Sequence, residues 1–418
     1  MYKIISAVIL LVSVSLMTCS NIVAAPTWTT YGAYKKIVED YKRKDTSVLL
    51  HDLQSKDPID RQLAALGLGT KGREGLEPLL ALSKSSYYGD RFYAISALFD
   101  VYQSTHDERT LEAVIRGTKD SNIIVALGAT GNLDINDPKA INVLIELLGD
   151  ERSGSGNCRI QDYAADALVK IGKPAVDSLI AALKNKDPQV RYQAVKALGE
   201  IKDEKAATPL ANLLGDKAAI SLRLPDKNNP LSATSNEMEA INLQRSIAPT
   251  SADYLRDYKY AREPLPTAMY HRQSDGMVEG AGILAKNAIN WMLEKRSYKV
   301  SIGEEARIAL VNIGSPVTEH IAPLLKSDDS YIRYGAIYIA GGIKAVSLTG
   351  TIADILKNDN DPEVRKAAAL SLAEIGDNRA VKYLNEAQAA EKKKDVKDAI
   401  EYSIGKFKNA LPTVIEGN

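Results

Sequence analysis

Two seventeen-residue stretches of the chain, Asp187–Asp203 (DPQVRYQAVKALGEIKD) and Asp361–Asp377 (DPEVRKAAALSLAEIGD), are nearly the same phrase. Catalytic motifs occur once, whereas a recurring phrase marks a structural unit, and repetition at a fixed period restricts a chain to very few architectures. Each phrase begins with Asp, a good helix N-cap, and Pro, which suits the first helical position. Ala194, Ala197, Leu198 and Ile201 then recur at three- and four-residue spacing, as do Ala368, Leu372 and Ile375, giving one apolar stripe on a helix.

Weaker copies carry the same stripe around Arg61, Arg91 and Arg333. Three stretches, AADALVKIG, ARIALVNIG and IIVALGATG, keep the stripe without the arginine. The markers advance by about thirty residues. A second apolar run follows each marked helix, as in PAVDSLIAALKNKD and PVTEHIAPLLKSDD. The unit is therefore helix, turn, helix, turn. One-sided stripes of Ala and Leu are buried only by stacking unit on unit, so the fold class is all-α: an α-solenoid of short helix-turn-helix repeats with one long insertion. The Arg of each phrase fits stacking between repeats and the holding of register.

The pattern DPxVRxxAxxALGEI followed by AxxPLxxLL resembles the short HEAT repeat of phycobilin-lyase-like proteins, over most of residues 46–216 and 301–390. The resemblance implies a right-handed superhelix with a concave and a convex face, used mainly to hold other proteins, and a family in which some members attach or detach a bilin. Sharing a scaffold does not transmit that activity.

Along the chain this gives a signal peptide over 1–25, N-terminal capping helices over 26–56 and repeats over 57–216. An insertion with a re-entry helix fills 217–300, a second array covers 301–390, and a capping helix and tail end the chain at 391–418. The first segment has Lys3, an apolar run over Ile4–Met17 and a small-residue stretch before Pro26, the layout of a secretory signal. It predicts export, with cleavage after Ala24 or Ala25. The alternative reads LMTC as a lipobox and tethers the chain to the envelope through Cys19. Cys158 is the other cysteine, so removal of the signal leaves no internal disulfide.

The insertion is polar and proline-punctuated, and Tyr254, Arg256, Tyr258, Tyr260, Arg262, Tyr270, His271 and Arg272 cluster in it. Tyr and Arg are enriched at binding hot spots, so these residues are the candidate partner-binding site; docking onto the solenoid itself is the alternative. Met277–Arg296 has helical spacing and is expected to re-enter the array. Lys plus Arg equals Asp plus Glu at 53 each, which gives no electrostatic reason to expect nucleic acid, and no later stretch is apolar enough to span a membrane. His51, His106, His271 and His320 are scattered, with no zinc spacing, and no phosphate loop, dinucleotide fingerprint or nucleophile elbow is present. These features predict a non-enzymatic, exported scaffold without cofactor or metal. It would dock other proteins or assemble a complex, and head-to-tail self-association would give filaments or tubes. The rival is a lyase- or chaperone-like protein acting on a tetrapyrrole-bearing partner.

Overall fold

The computed structural model describes residues 28–154, 159–223 and 297–410. The expected signal segment, Cys19, Cys158, the clustered Tyr/Arg residues of the insertion, the expected re-entry helix and the tail after residue 410 lie outside them. Two compact units divide the chain, one of residues 1–182 with 224–239, the other of residues 183–223 with 240–418.

The described part of the first unit holds α1 (Trp28–Arg43), α2 (Thr46–Asp52), α3 (Pro58–Gly69), α4 (Arg73–Leu82), α5 (Tyr88–Thr105), α6 (Glu108–Gly117), α7 (Ile123–Gly131), α8 (Pro138–Leu147), α9 (Ile160–Ile171) and α10 (Val176–Ala182). The second holds α11 (Pro188–Ile201), α12 (Ala207–Ala211), strands β1 (Ala219–Arg223) and β2 (Ser297–Ser301), α13 (Ile302–Ile313), α14 (Thr318–Ile321), α15 (Ser330–Gly342), α16 (Thr349–Asn358), α17 (Pro362–Ile375), α18 (Ala380–Ala390) and α19 (Lys394–Ala410). In each unit the odd-numbered helices pack on one another in order and the even-numbered ones cover one side of that row. This is the all-α solenoid the thirty-residue period calls for.

The recurring parts of the phrase each have a local cause within this stack. Asp57, Asp187, Asp329 and Asp361 are extended N-caps whose carboxylates accept the N–H of the second residue of the helix. The stripe residues Ala64, Leu68, Ala194, Leu198, Ala368 and Leu372 are fully buried between the layers. The glycine of ALG is a packing device. A Cβ on Gly199 would stand 2.8 Å from Ala309, and one on Gly341 would stand 2.8 Å from the Ser371 hydroxyl, so these helices meet almost backbone to backbone. Two buried serines then clip successive helices: Ser371 donates to the Ile337 carbonyl and Ser403 to the Ala369 carbonyl, both at 2.9 Å.

The marker arginines form a ladder that runs forward along the chain. Arg61 donates to Asp90 at 3.0 Å and Arg91 to Asp120 at 2.7 Å in the first unit. Arg191 reaches Asp216, Arg333 reaches Asp359 and Arg365 reaches Glu391 in the second, at 2.7–2.9 Å. Each arginine also donates to two carbonyls of the turn before its own helix, as Arg333 does to Ser327 and Asp328. The arginine thus ignores the N-cap Asp of its own phrase and ties its turn to the next repeat. The arginine side chains are 13–19% exposed, so the pairs are largely desolvated.

A second ladder points backward. Arg109, Arg152 and Arg379 each grip the aspartate two residues earlier, Asp107, Asp150 and Asp377, of which Asp107 is a helix N-cap. They reach the preceding repeat through Glu77, the Thr118 carbonyl and the Val346 carbonyl respectively.

The long break in the repeat leaves and re-enters the described array through two paired strands. β1 and β2 pair antiparallel from Ala219↔Ser301 to Arg223↔Ser297, and α13 then packs directly on α11. The two strands are an addition that helical periodicity did not announce. The Ile302 N–H bonds the Ala218 carbonyl and the Gly303 N–H bonds the Asp216 carbonyl. Gly303 stands where the marker arginine would be, because a Cβ there would lie 2.5 Å from the Leu214 carbonyl oxygen. The short excursion after α8 repeats this geometry in the first unit. Ile160 and Gln161 bond the Arg152 and Asp150 carbonyls, and Ser153 bridges to Arg159.

Candidate functional site

Several odd-numbered helices carry buried polar side chains beside the apolar stripe: Gln62, Gln161, Gln193, Lys196, Glu305 and Lys366. The best-defined group on this face lies in the second unit, where α13 meets α15. Tyr331, Tyr334 and Tyr338 stand three and four residues apart on α15 and so project from one side of it. Between them lies Arg307 of α13, its guanidinium carbon 5.5, 5.4 and 5.7 Å from the three ring centroids. Each contact is within cation–π range.

The backbone makes room for this cup. Gly335, between the second and third tyrosines, leaves space that the Arg307 stem crosses; a Cβ there would lie 3.2 Å from its Cδ. Glu304 stands 3.7 Å from Arg307 Nη2, but its other oxygen closes a capping box with Ser301 at the start of α13. Ser301 Oγ also lies 3.3 Å from the Tyr331 hydroxyl, joining cap and cup. Burial raises the Tyr338 hydroxyl above its ordinary pKa, with Arg307 opposing, so that phenol stays protonated at neutral pH. The Arg307 side chain keeps 14% of its surface exposed.

The partner-binding residues expected from sequence, Tyr254, Arg256, Tyr258, Tyr260, Arg262, Tyr270, His271 and Arg272, lie outside the described residues. The cup went unnoticed in the sequence although its signal was there: the tyrosines of SYIRYGAIYIAGG fall opposite the apolar stripe rather than on it. Among the described histidines, His320 Nδ1 meets the Thr208 hydroxyl at 2.8 Å, and His51 lies 3.5 Å from Asp52. Among the described residues no group of three or more His, Cys, Asp or Glu side chains is placed to hold a metal ion, and no single helix is long and apolar enough to cross a membrane. An open depression of about 770 Å³ separates the turns before α15 and α17, lined by Ser327, Arg333, Asn358 and Asp361 among others. Arg333 is already tied to Asp359 there, so the depression is a seam of the ladder.

Comparison with known proteins fits this architecture. The HEAT repeats family matches residues 152–224 and 318–405. Bilin biosynthesis protein RpcF of Synechococcus sp. (strain WH8020) is 34% identical over 96 residues, which are 23% of this chain and 44% of RpcF. The chain therefore spans less than half the length of that relative. Among solved structures, the complex of CpcE and CpcF of phycocyanin lyase from Nostoc sp. PCC7120 aligns over 71% of this chain and 94% of that one, at 18% identity and a TM-score of 0.27. Kap121p bound to Pho4p aligns over 94% of this chain and 41% of its own, at 12% identity and a TM-score of 0.50, a likeness of fold. The expectation of a non-enzymatic protein is overturned by the similarity to RpcF, since the absence of familiar catalytic motifs says little about chemistry carried by a repeat array. The chain carries HEAT repeats over residues 152–224 and 318–405 and is similar, over 96 residues, to a bilin biosynthesis protein.

Proposed function

We propose that the chain is a lyase- or chaperone-like protein that acts on a tetrapyrrole-bearing partner protein. The observation that carries this reading is the 34% identity to a bilin biosynthesis protein. The polar and aromatic face of the odd-numbered helices supports it. A tetrapyrrole is a flat conjugated system with carboxylate arms, and tyrosine rings beside a cation are suited to both parts. The repeat array supplies an extended surface for the partner, and the short ladder-locked turns keep that surface in register.

The layout of residues 1–25 adds a proposal about place: the protein works after export, with cleavage near Ala24 or lipidation of Cys19. Intact mass of the mature chain separates these two. Self-association into filaments or tubes is a further proposal, checked by light scattering against concentration.

The central test is affinity capture of the tagged full chain from its native host, with captured proteins stained for covalent bilin by zinc-induced fluorescence and for haem by peroxidase activity. A co-captured protein that carries tetrapyrrole is expected. Partners free of tetrapyrrole, together with a purified chain that binds neither biliverdin nor hemin, would refute the reading.

A further inference from the structure

We propose that the Arg307 cup is a carboxylate-binding site and that it takes a propionate arm of a tetrapyrrole; the identity of that source rests on the function proposed above. Arginine has five N–H donors and normally spends them on carboxylates, carbonyls or water. The other well-packed arginines of this unit do so: Arg191, Arg333 and Arg365 each make several hydrogen bonds, in a fixed fork. Arg307 is as enclosed as they are, with 14% of its side chain exposed. Its ion-pair neighbour among the described residues is Glu304, at 3.7 Å, too far for a hydrogen bond. That carboxylate is committed to Ser301 through its other oxygen.

The tyrosines do not replace those bonds. Rings at 5.4–5.7 Å attract the cation through their π faces, which satisfies charge and leaves the in-plane N–H fork without a hydrogen-bond acceptor among the described residues, open only to solvent. They hold the guanidinium in place, the preorganisation that raises affinity for an incoming anion. A carboxylate matches the geometry of the fork. The site has one cation flanked by three rings, so it fits a single charge on a slender aliphatic stem better than a bulky dianion. A propionate has that shape. A staple holding α13 to α15 would also use cation–π contacts, and the titration below separates it from a binding site.

The test uses the full chain labelled with 15N-arginine. The Arg307 Nε–Hε resonance, shifted by three ring currents, is assigned by its loss in Arg307→Lys. Biliverdin is titrated against it and, in parallel, against visible absorbance, with biliverdin dimethyl ester and sodium glutarate as comparison probes. The expected result is that biliverdin moves the Arg307 resonance, that the diester does not, and that Arg307→Gln weakens biliverdin at least fivefold. Arg307→Lys, which keeps the charge, tests the fork and is expected to fall between the two. If biliverdin binds equally well to Arg307→Gln and leaves the resonance unmoved, the cup assignment is overturned while the proposed function stands. If biliverdin and hemin fail to bind but glutarate moves the resonance, the carboxylate site stands and the tetrapyrrole source is refuted. A resonance that no carboxylate moves overturns the inference altogether.

Discussion

Glu391 closes the forward ladder, and its replacement by Gln measures what one rung contributes. Its oxygens accept from Arg365 Nε at 2.8 Å and Nη2 at 3.1 Å, and from the Lys392 and Lys393 N–H groups at 2.8 Å. The Arg365 guanidinium is the main reason its carboxyl is held down from an ordinary 4.5 to about 2. At 1.36 kcal/mol per pH unit, that difference corresponds to roughly 3 kcal/mol in favour of the folded state. The side chains are 14% and 8% exposed, so screening takes some of it, and about 2 kcal/mol is expected at neutral pH. Because the folded pKa is depressed, the stabilisation is complete above 4.5 and is lost as pH falls from there toward 2, with about half gone near pH 3. In Gln the amide donors also face the arginine fork. The assay is hydrogen exchange in peptides covering α19, the helix after this rung, for wild type and Glu391→Gln between pH 7 and pH 3, corrected for intrinsic exchange rates. Opening free energies should differ by about 2 kcal/mol at pH 7 and converge on acidification. A gap below about 0.5 kcal/mol at pH 7, or one that pH does not change, would falsify the reasoning.

Other perturbations follow from the same contacts. Gly199→Ala forces a Cβ to 2.8 Å from Ala309 and should destabilise the second unit by about 1–3 kcal/mol, read as a lower urea midpoint at unchanged slope. Ser371→Ala leaves the Ile337 carbonyl without its side-chain donor and should cost about 1 kcal/mol, seen as faster exchange in α15 and α17. Tyr334→Leu should weaken the hold on Arg307 while Tyr334→Phe retains it; the ring-current shift of the Arg307 Nε–Hε resonance separates the two. Replacing residues 224–296 with Asn-Gly, a two-residue hairpin turn between the paired Arg223 and Ser297, should preserve the helical circular dichroism of the array. A collapse of helicity would show that the stem does not isolate the loop.

The repeat was legible because Ala194, Leu198 and their counterparts answer to a period set by local backbone geometry, and the Asp-Pro starts answer to helix capping. The arginine ladder was half legible. Sequence gives the recurrence of Arg191, Arg333 and Arg365, but the acceptors Asp216, Asp359 and Glu391 lie 25 or 26 residues on, and only stacking brings them near. The strand stem escaped notice because Ala219–Arg223 and Ser297–Ser301 are short and separated by a long segment, so each is an edge without a visible partner. The Arg307 cup escaped for a different reason. Its four residues belong to two repeats, and tyrosines within a repeat read as ordinary surface until the neighbouring helix supplies the cation.

The matching hydrogen bonds at Ile160–Gln161 and Ile302–Gly303 have a consequence for how such a chain can grow. The same turn accepts a short excursion in one unit and residues 224–296 in the other, with the first two N–H groups of the next helix already engaged in both. Closing the longer loop costs only roughly 2 kcal/mol more than closing the shorter, because the entropy of closure rises with the logarithm of length. The turn therefore works as a port. New sequence can enter there and acquire a task of its own while the helices on either side go on packing as though nothing had been added.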